Sequence, residues 1–463
     1  MRRLLANTTA FYGAQLLARL INFGYLLVLA RTLVPDAFGH LNLALSVLVI
    51  ADTCADLGLS RLALREMSRD PEAASRYLSA LSVLKALTAA LCYAGSVAFA
   101  WFGGYPAEVT AMIALSGLGL VFTGSSMLFE SALHVRQRFG FVSLAHLTLS
   151  LLQAATGFLV LGAGGGALAI AGTAILTNGA YCAIVFVGLR RAGIVLSPTV
   201  APSFWRACLV QSAAYGAMAI LSILSTRVEL LVLGWFAAGA DLGAYSIALK
   251  LMEAALLAPV TLGIVVAPTF ARHHAGTGEE LASLYLRVLR FGLLAAIPGA
   301  LVAGLVVGPV TNGLVGGRYA GLEELLRVMF AAFPFAAAHC LNIGLLLGSD
   351  RQRGTLALVA GLLALQVGIS ATLVSQLGTD GAALAFLAIN VVSGIASTLC
   401  VWRWFMRGAR LGQAILPPLA AGAVLLGLAL LGQPVAALIA FAAIGGIVAL
   451  GLPLPAYRET APA

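Results

Sequence analysis

Residues 222–274 read SILSTRVELLVLGWFAAGADLGAYSIALKLMEAALLAPVTLGIVVAPTFARHH, two long apolar runs joined by a short hinge at Gly239 to Gly243. Each run is long enough to cross a bilayer, which takes roughly 20 largely apolar residues in a helix. Arg227, Glu229, Lys250 and Glu253 lie inside the runs. Charged side chains at that depth are expensive unless they face a partner or water. The stretch therefore predicts two membrane spans with a polar side, and the same layout recurs near the N-terminus.

Composition agrees with that reading across all 463 residues: 61% are hydrophobic, only 10% are charged, and the mean hydropathy is +1.00. Soluble domains carry roughly 25% charged residues. Soluble enzymes, nucleic-acid-binding proteins and disordered chains are excluded. Six cysteines are scattered singly in apolar runs, where they read as small packing residues. No Cys or His spacing suggests a metal, and no cofactor is expected. Arg2 and Arg3 precede an apolar run that outlasts a signal-peptide core and lacks a small-residue cleavage site, so an uncleaved first span is expected.

Apolar windows of crossing length fall at 10–33, 40–62, 77–101, 109–131, 141–162, 166–189, 209–236, 243–268, 286–309, 324–347, 355–376, 381–402, 412–431 and 434–454. The expected fold is all-α and polytopic, with about 14 transmembrane helices and no soluble domain. With the N-terminus in the cytoplasm, alternation places 21 of the 27 Lys and Arg residues, Lys85 among them, on the cytoplasmic side. Only Arg31, Arg318 and Arg327 fall outside, and Arg19, Arg227 and Lys250 remain at membrane depth. That asymmetry supports both the count and the orientation. Both termini are then cytoplasmic. The net charge of +9 is explained by its placement.

An internal repeat organises the spans. Phe38-Gly39 recurs as Leu242-Gly243 at an offset of 204, and Arg136-Gln137-Arg138 recurs as Arg351-Gln352-Arg353 at an offset of 215. Each Arg-Gln-Arg is followed by an apolar run with one glutamine, Gln153 or Gln366, and then by a Gly-rich joint. Six spans per repeat restore the starting side, so the halves share topology, as in alternating-access transporters. The expected domains are a six-helix lobe over 1–195, a second over 205–410, and an added helix pair with a cytoplasmic tail over 411–463.

The charges at depth are the candidate site. Arg19, Arg227 and Lys250 are candidate contacts for an anionic substrate in a hydrated cavity. Asp52, Asp56, Glu229 and Glu253 would balance them or couple to an ion; Asp52 and Asp56 share one face of span 2, and Lys250 and Glu253 are i,i+3 neighbours. The structural alternative for each is an ion pair that locks helices together. Glu130 reads as interfacial, close to Arg136. Pro259 is a candidate gating kink in span 8.

Several motifs then carry a family resemblance: LARTLVPDAFGHLNLALSVL at 29–48, DLGLSRLALREMSR at 56–69, and GWFAAGADLGAYSIALKLME followed by APTFARH. With Arg31-Thr32-Leu33, Phe38-Gly39, Asp56-Leu57-Gly58-Leu59 and Arg65-Glu66 in that order, the chain resembles the polysaccharide or oligosaccharide flippases of the multidrug/oligosaccharidyl-lipid/polysaccharide exporter superfamily. Where that family commonly has an aspartate before the end of span 7, this chain has Glu229. The resemblance covers about residues 1–410. It implies a transporter, not an enzyme, that moves undecaprenyl-diphosphate-linked oligosaccharide (O-antigen, capsule or exopolysaccharide repeat units) from the cytoplasmic to the outer leaflet of a bacterial inner membrane by alternating access. It also implies partners, glycosyltransferases and a polymerase, and a proton or sodium gradient as the expected drive. The diphosphate suits Arg or Lys in a shielded cavity. Three alternatives stand beside it: a lipid II flippase of peptidoglycan synthesis, an ion-coupled multidrug exporter, and a membrane-bound polymerase or glycosyltransferase. The short outer loops hold no acid–base cluster for the last, and no phosphate-binding Gly-rich loop followed by Lys-Ser or Lys-Thr occurs.

Overall fold

The computed structural model describes residues 2–405, except 238, 275–277 and 348–350, together with 415, 416, 419, 422 and 423. Among the described residues every regular element is helical: α1 (Arg2–Thr32), α2 (Pro35–Asp56), α3 (Leu59–Arg69), α4 (Ala74–Phe102), α5 (Ala107–Gly117), α6 (Leu120–Val135), α7 (Phe139–Gly162), α8 (Ala167–Arg191), α9 (Pro202–Ser225), α10 (Val228–Phe236), α11 (Gly239–His274), α12 (Gly278–Val315), α13 (Leu322–Leu347) and α14 (Gln352–Phe405). Ten helices among them are long and apolar enough to cross a membrane, and α5 with α6, bent by 42°, makes an eleventh crossing. Gly378 (φ 58, ψ −127) divides α14 into the two spans expected at 355–376 and 381–402. Each of the twelve spans expected before residue 403 thus has a helical counterpart. Of the expected spans 412–431 and 434–454, only residues 415, 416, 419, 422 and 423 of the first are described.

Three spans are interrupted, and each break has a local cause. Span 2 parts at Leu57 and Gly58, both left-handed (φ 48 and 75), before α3 continues with an arginine-bearing exposed side. Glycine is required at 58, because a Cβ there would lie 2.5 Å from the amide nitrogen of Gly216 in α9. Gly216 is confined in turn, with the carbonyl oxygen of Leu57 2.6 Å from where its Cβ would stand. The bend of span 4 falls at Leu118-Gly119.

The third break corrects an expectation. The apolar run 209–236 reads as one helix, yet α9 ends at Ser225 and α10 starts at Val228, with Arg227 (φ −127) as its N-cap. The amides of Thr226 and Arg227 reach only three residues back, to Ile223 and Leu224. The hydroxyls of Ser225 and Thr226 bond the carbonyls of Leu221 and Ile223. Such side-chain competition for backbone acceptors weakens the helical ladder where two hydroxyl residues adjoin.

The chain divides into two compact units: Met1–Ser246 with Leu314–Ala320 and Val374–Thr379, and Ile247–Gly313 with Gly321–Leu373 and Asp380–Ala463. In the first, Leu62, Met67, Leu78, Leu81 and Leu128 are fully buried in one core. In the second, the phenol of Tyr285 donates to Oδ1 of Asn342 at 2.7 Å, and Nδ2 of Asn342 donates to Ser397 (3.0 Å) and Thr398 (2.9 Å). With its hydrogen bonds made, this neutral network ties α12, α13 and the second part of α14 without a buried charge.

Candidate functional site

The acidic pair of span 2 is sorted into two environments. Nζ of Lys85, 1% exposed in α4, donates to Oδ1 of Asp56 at 2.5 Å and to Oγ of Ser60 at 2.7 Å, and the Ser60 hydroxyl donates to the same Asp56 oxygen. Lys85 is therefore not a cytoplasmic loop cation. It is the buried partner of Asp56, missed because it sits alone in an apolar run 29 residues from its partner. Asp52, one turn away, accepts from the hydroxyl of Thr123 at 2.7 Å and stays half-buried.

The three cations at depth occupy unlike places. Arg19 lies 13 residues from the outer end of α1, about 20 Å along the axis. It is exposed and makes no hydrogen bond or ion pair among the described residues. Its neighbour Ala18 is buried, and a tyrosine two turns on, Tyr25, packs α1 against Gly157 and Phe158 of α7. Arg227 stands at the break of span 7, 9 residues from the outer end of α10, about 14 Å and hence near the bilayer midplane. Glu229 follows in the first turn of α10 and is 2% exposed. The fully buried phenol of Tyr245 lies within electrostatic reach of both Arg227 and Glu229. In the second unit, Lys250 donates to Oε2 of Glu253 at 2.9 Å, both about one-third exposed, as the i,i+3 spacing expects. Pro259 lies inside α11, which stays helical through it.

The outer end of the first unit is held together at the repeated hinges. A Cβ on Gly39 would come 2.6 Å from the amide nitrogen of Gly243, and one on Gly243 would come 2.7 Å from the carbonyl oxygen of Pro35. Around this contact the phenol of Tyr319 donates to the carbonyl of Ala30 at 2.8 Å, its ring meets Phe38 edge-on, and Nε of Arg31 donates to the carbonyl of Leu314 at 2.6 Å. Arg318 also donates to the carbonyl of Arg31. Burial pushes the Tyr319 phenol up to about 12. Nearby, Trp235 stacks on Tyr105, whose phenol donates to the carbonyl of Leu231 at 3.0 Å.

Glu130 is not an interfacial partner of Arg136. It is turned inward, to His146 of α7 and Tyr181 of α8. No cluster of three or more His, Cys, Asp or Glu able to hold a metal occurs among the described residues.

A family profile described as "Polysaccharide biosynthesis protein" matches residues 28–323. No curated protein matches the sequence. By fold, the chain is similar to the lipid II flippase MurJ in an inward closed conformation, at 11% identity, with 95% of this chain and 97% of that one covered and a TM-score of 0.76. It is also similar to an inward-facing MATE-family multidrug resistance transporter of the MOP superfamily (14% identity, 84% and 96% covered, TM-score 0.68). A third similar structure is a MOP superfamily transporter from Pyrococcus furiosus (16% identity, 85% and 93% covered, TM-score 0.56). At these identities the likeness is one of fold: an all-α, multi-pass membrane fold in two lobes.

Proposed function

Because the chain belongs to the polysaccharide biosynthesis protein family, within the MOP superfamily of transporters, we propose that it is a flippase for polyprenyl-diphosphate-linked oligosaccharide. It moves repeat units from the inner to the outer leaflet by alternating access. The observation that carries this reading is Arg19: a guanidinium exposed about 20 Å deep along α1 and without a polar partner among the described residues. Facing lipid, it would be costly. Facing a hydrated path, it offers a planar fork of donors suited to a diphosphate. Arg227, set where span 7 is broken near the midplane, adds a second guanidinium, and Lys250 a third cation. Discontinuous helices are where transporters of several folds place their binding groups. Asp52, Glu229 and Glu253 balance this charge or take up the coupling ion. Asp56, already neutralised by Lys85, holds span 2 to α4. Pro259 lets α11 flex as the path changes side.

Within this reading glycosyltransferases on the cytoplasmic side supply the cargo and a polymerase on the outer side consumes it. The work is transport, and no bond of the glycan is made or broken.

A second reading, lipid II as cargo, is favoured by the fold match to a lipid II flippase over 95% of this chain. The two cargoes share the polyprenyl diphosphate and differ in the saccharide. Vesicles containing the purified protein and a fluorescent lipid-linked oligosaccharide, lipid II or a cationic drug separate them. Faster exposure of the oligosaccharide at the far leaflet is expected. Preference for lipid II would transfer the assignment to the second reading, and movement of the drug alone would contradict both.

A further inference from the structure

The Arg-Gln-Arg motif, carried once by each half of the repeat, takes no part in the site described above. In the first unit Arg136, Gln137 and Arg138 make the turn from α6 to α7, with Gln137 left-handed (φ 55). The ring of Phe141 fills the space where a Cβ on Gly188 would stand, so the start of α7 is pressed onto the end of α8. Arg138 lies one turn before Phe141, and Arg190 and Arg191 follow Gly188 within one turn. The contact gathers Arg136, Arg138, Arg190 and Arg191 at the cytoplasmic edge of the unit, and all four are exposed.

The second unit repeats the arrangement. Arg351 and Arg353, both exposed, flank the start of α14. A Cβ on Gly354 would come 2.9 Å from the indole of Trp404, which follows Arg403 in the last turn of the same element. The guanidinium of Arg351 lies 5.7 Å from the centre of that indole, as that of Arg190 lies 5.2 Å from the centre of the Phe186 ring. A guanidinium stacked on a ring keeps the N–H donors around its edge for other partners.

Two features set the first cluster apart from an ordinary charged helix end. The sequence holds no Asp or Glu from Ser131 to Val228, and none of the four arginines pairs with a carboxylate among the described residues. Glu66 of α3, which packs on the same α6, is held by Arg65 and Arg69. The dipole of α8 accounts for Arg190 and Arg191 in its last turn, but Arg138 is the N-cap of α7, the end at which a cation is disfavoured. Four like charges are thus brought together with no protein anion among them. Exposed apolar side chains also adjoin the cluster: Val187 one turn before Arg191, and Leu144 further along α7. The site lies where water gives way to hydrocarbon.

We propose that the Arg136–Arg138 turn and the end of α8 form a binding site for the phosphate headgroup of an anionic phospholipid of the cytoplasmic leaflet. The guanidinium forks take its phosphate oxygens, and its acyl chains run along Val187 and Leu144. Anionic headgroups are concentrated at that surface. The lipid supplies the missing counter-charge and joins the start of α7 to the end of α8. The second unit carries a weaker copy, because Asp350 stands beside Arg351 in the sequence. This site does not rest on the flippase reading.

Native mass spectra of the purified, cargo-free chain with phosphatidylglycerol or phosphatidylcholine added test it. Wild type is expected to retain phosphatidylglycerol in preference. Arg138→Gln combined with Arg190→Gln is expected to lower that retention by roughly tenfold or more, as the loss of two hydrogen bonds to a charged group implies. Arg61→Gln combined with Arg69→Gln removes the same charge from α3 and is expected to leave retention near wild type. Cytoplasmic arginines also orient a chain in the membrane, so a Gln pair can misassemble. Arg138→Lys combined with Arg190→Lys keeps the charge, and it is expected to retain less lipid than wild type because the fork is lost. Wild-type retention in the Lys pair, equal loss in the two Gln pairs, or no preference for phosphatidylglycerol overturns the proposal. Displacement of the bound phospholipid by an equal concentration of a polyprenyl diphosphate also overturns it, and would make this a site for cargo.

Discussion

Gly39 and Gly243, equivalent positions of the internal repeat 204 residues apart, meet backbone against backbone at the outer end of the first unit, where a Cβ on Gly39 would lie 2.6 Å from the Gly243 amide nitrogen. The hinge that opens span 2 and the hinge that opens span 8 are thus each other's packing surface. Neither can carry a side chain without parting them.

Gly39→Val is therefore expected to prop the outer end open. A cysteine placed at Ala30, which is fully buried beside this contact, would then react with a membrane-impermeant maleimide added from outside. Gly24→Ala is the control, since nothing lies within 4 Å of a Cβ at that position. Equal labelling in both backgrounds would show that the glycine contact does not close the outer end.

Tyr319 makes the same closure insensitive to pH over the physiological range. Burial raises its phenol from 10.0 to about 12, so the neutral donor is favoured when the contact is formed. The contribution is fully present below the unfolded value and is lost as pH rises through about 12. Tyr319→Phe removes one neutral hydrogen bond, worth about 1 kcal/mol, or roughly fivefold in the closed-to-open ratio. At Ala30→Cys the labelling rate in Tyr319→Phe relative to that in the Tyr319 background should be about that factor, and this ratio should stay constant between pH 6 and 9, although both rates rise with the thiolate fraction.

The Lys85–Asp56 pair is a stability element. Lys85→Met leaves a carboxylate buried beside Ser60, and removing one partner of such a pair costs about 3–5 kcal/mol. Lys85→Met combined with Asp56→Asn should recover most of that loss. Thermal unfolding in detergent measures both, and a double variant as weak as the single one would show that the lysine acts by packing instead.

Much of this was legible in the sequence because lipid imposes a one-dimensional rule. Twelve apolar windows became helices, since backbone groups in hydrocarbon have few other ways to be satisfied. The Lys250–Glu253 pair followed from helical spacing alone. Contacts across distant chain positions were not legible. Nothing near Lys85 points to Asp56, and Glu130 lies closer in sequence to Arg136 than to His146 or Tyr181. The break at Arg227 was hidden because hydropathy averages over Ser225 and Thr226, whose hydroxyls compete with the helix only locally. The Phe38-Gly39 and Leu242-Gly243 match was visible as a repeat, but not that the two copies touch.

In the flippase reading the cations at membrane depth receive a diphosphate. Glycan translocation is to be measured in vesicles containing wild type, Arg19→Ala, Arg227→Ala, Arg227→Lys or Lys250→Ala, each first shown to unfold at the wild-type temperature. A hydrogen bond to a charged group is worth about 1.5–3 kcal/mol, so each alanine is expected to slow translocation by roughly tenfold or more. Arg227→Lys should retain part of the rate, with the charge kept and the two-pronged geometry lost. Wild-type translocation in all three alanine variants would show that these cations do not receive the diphosphate.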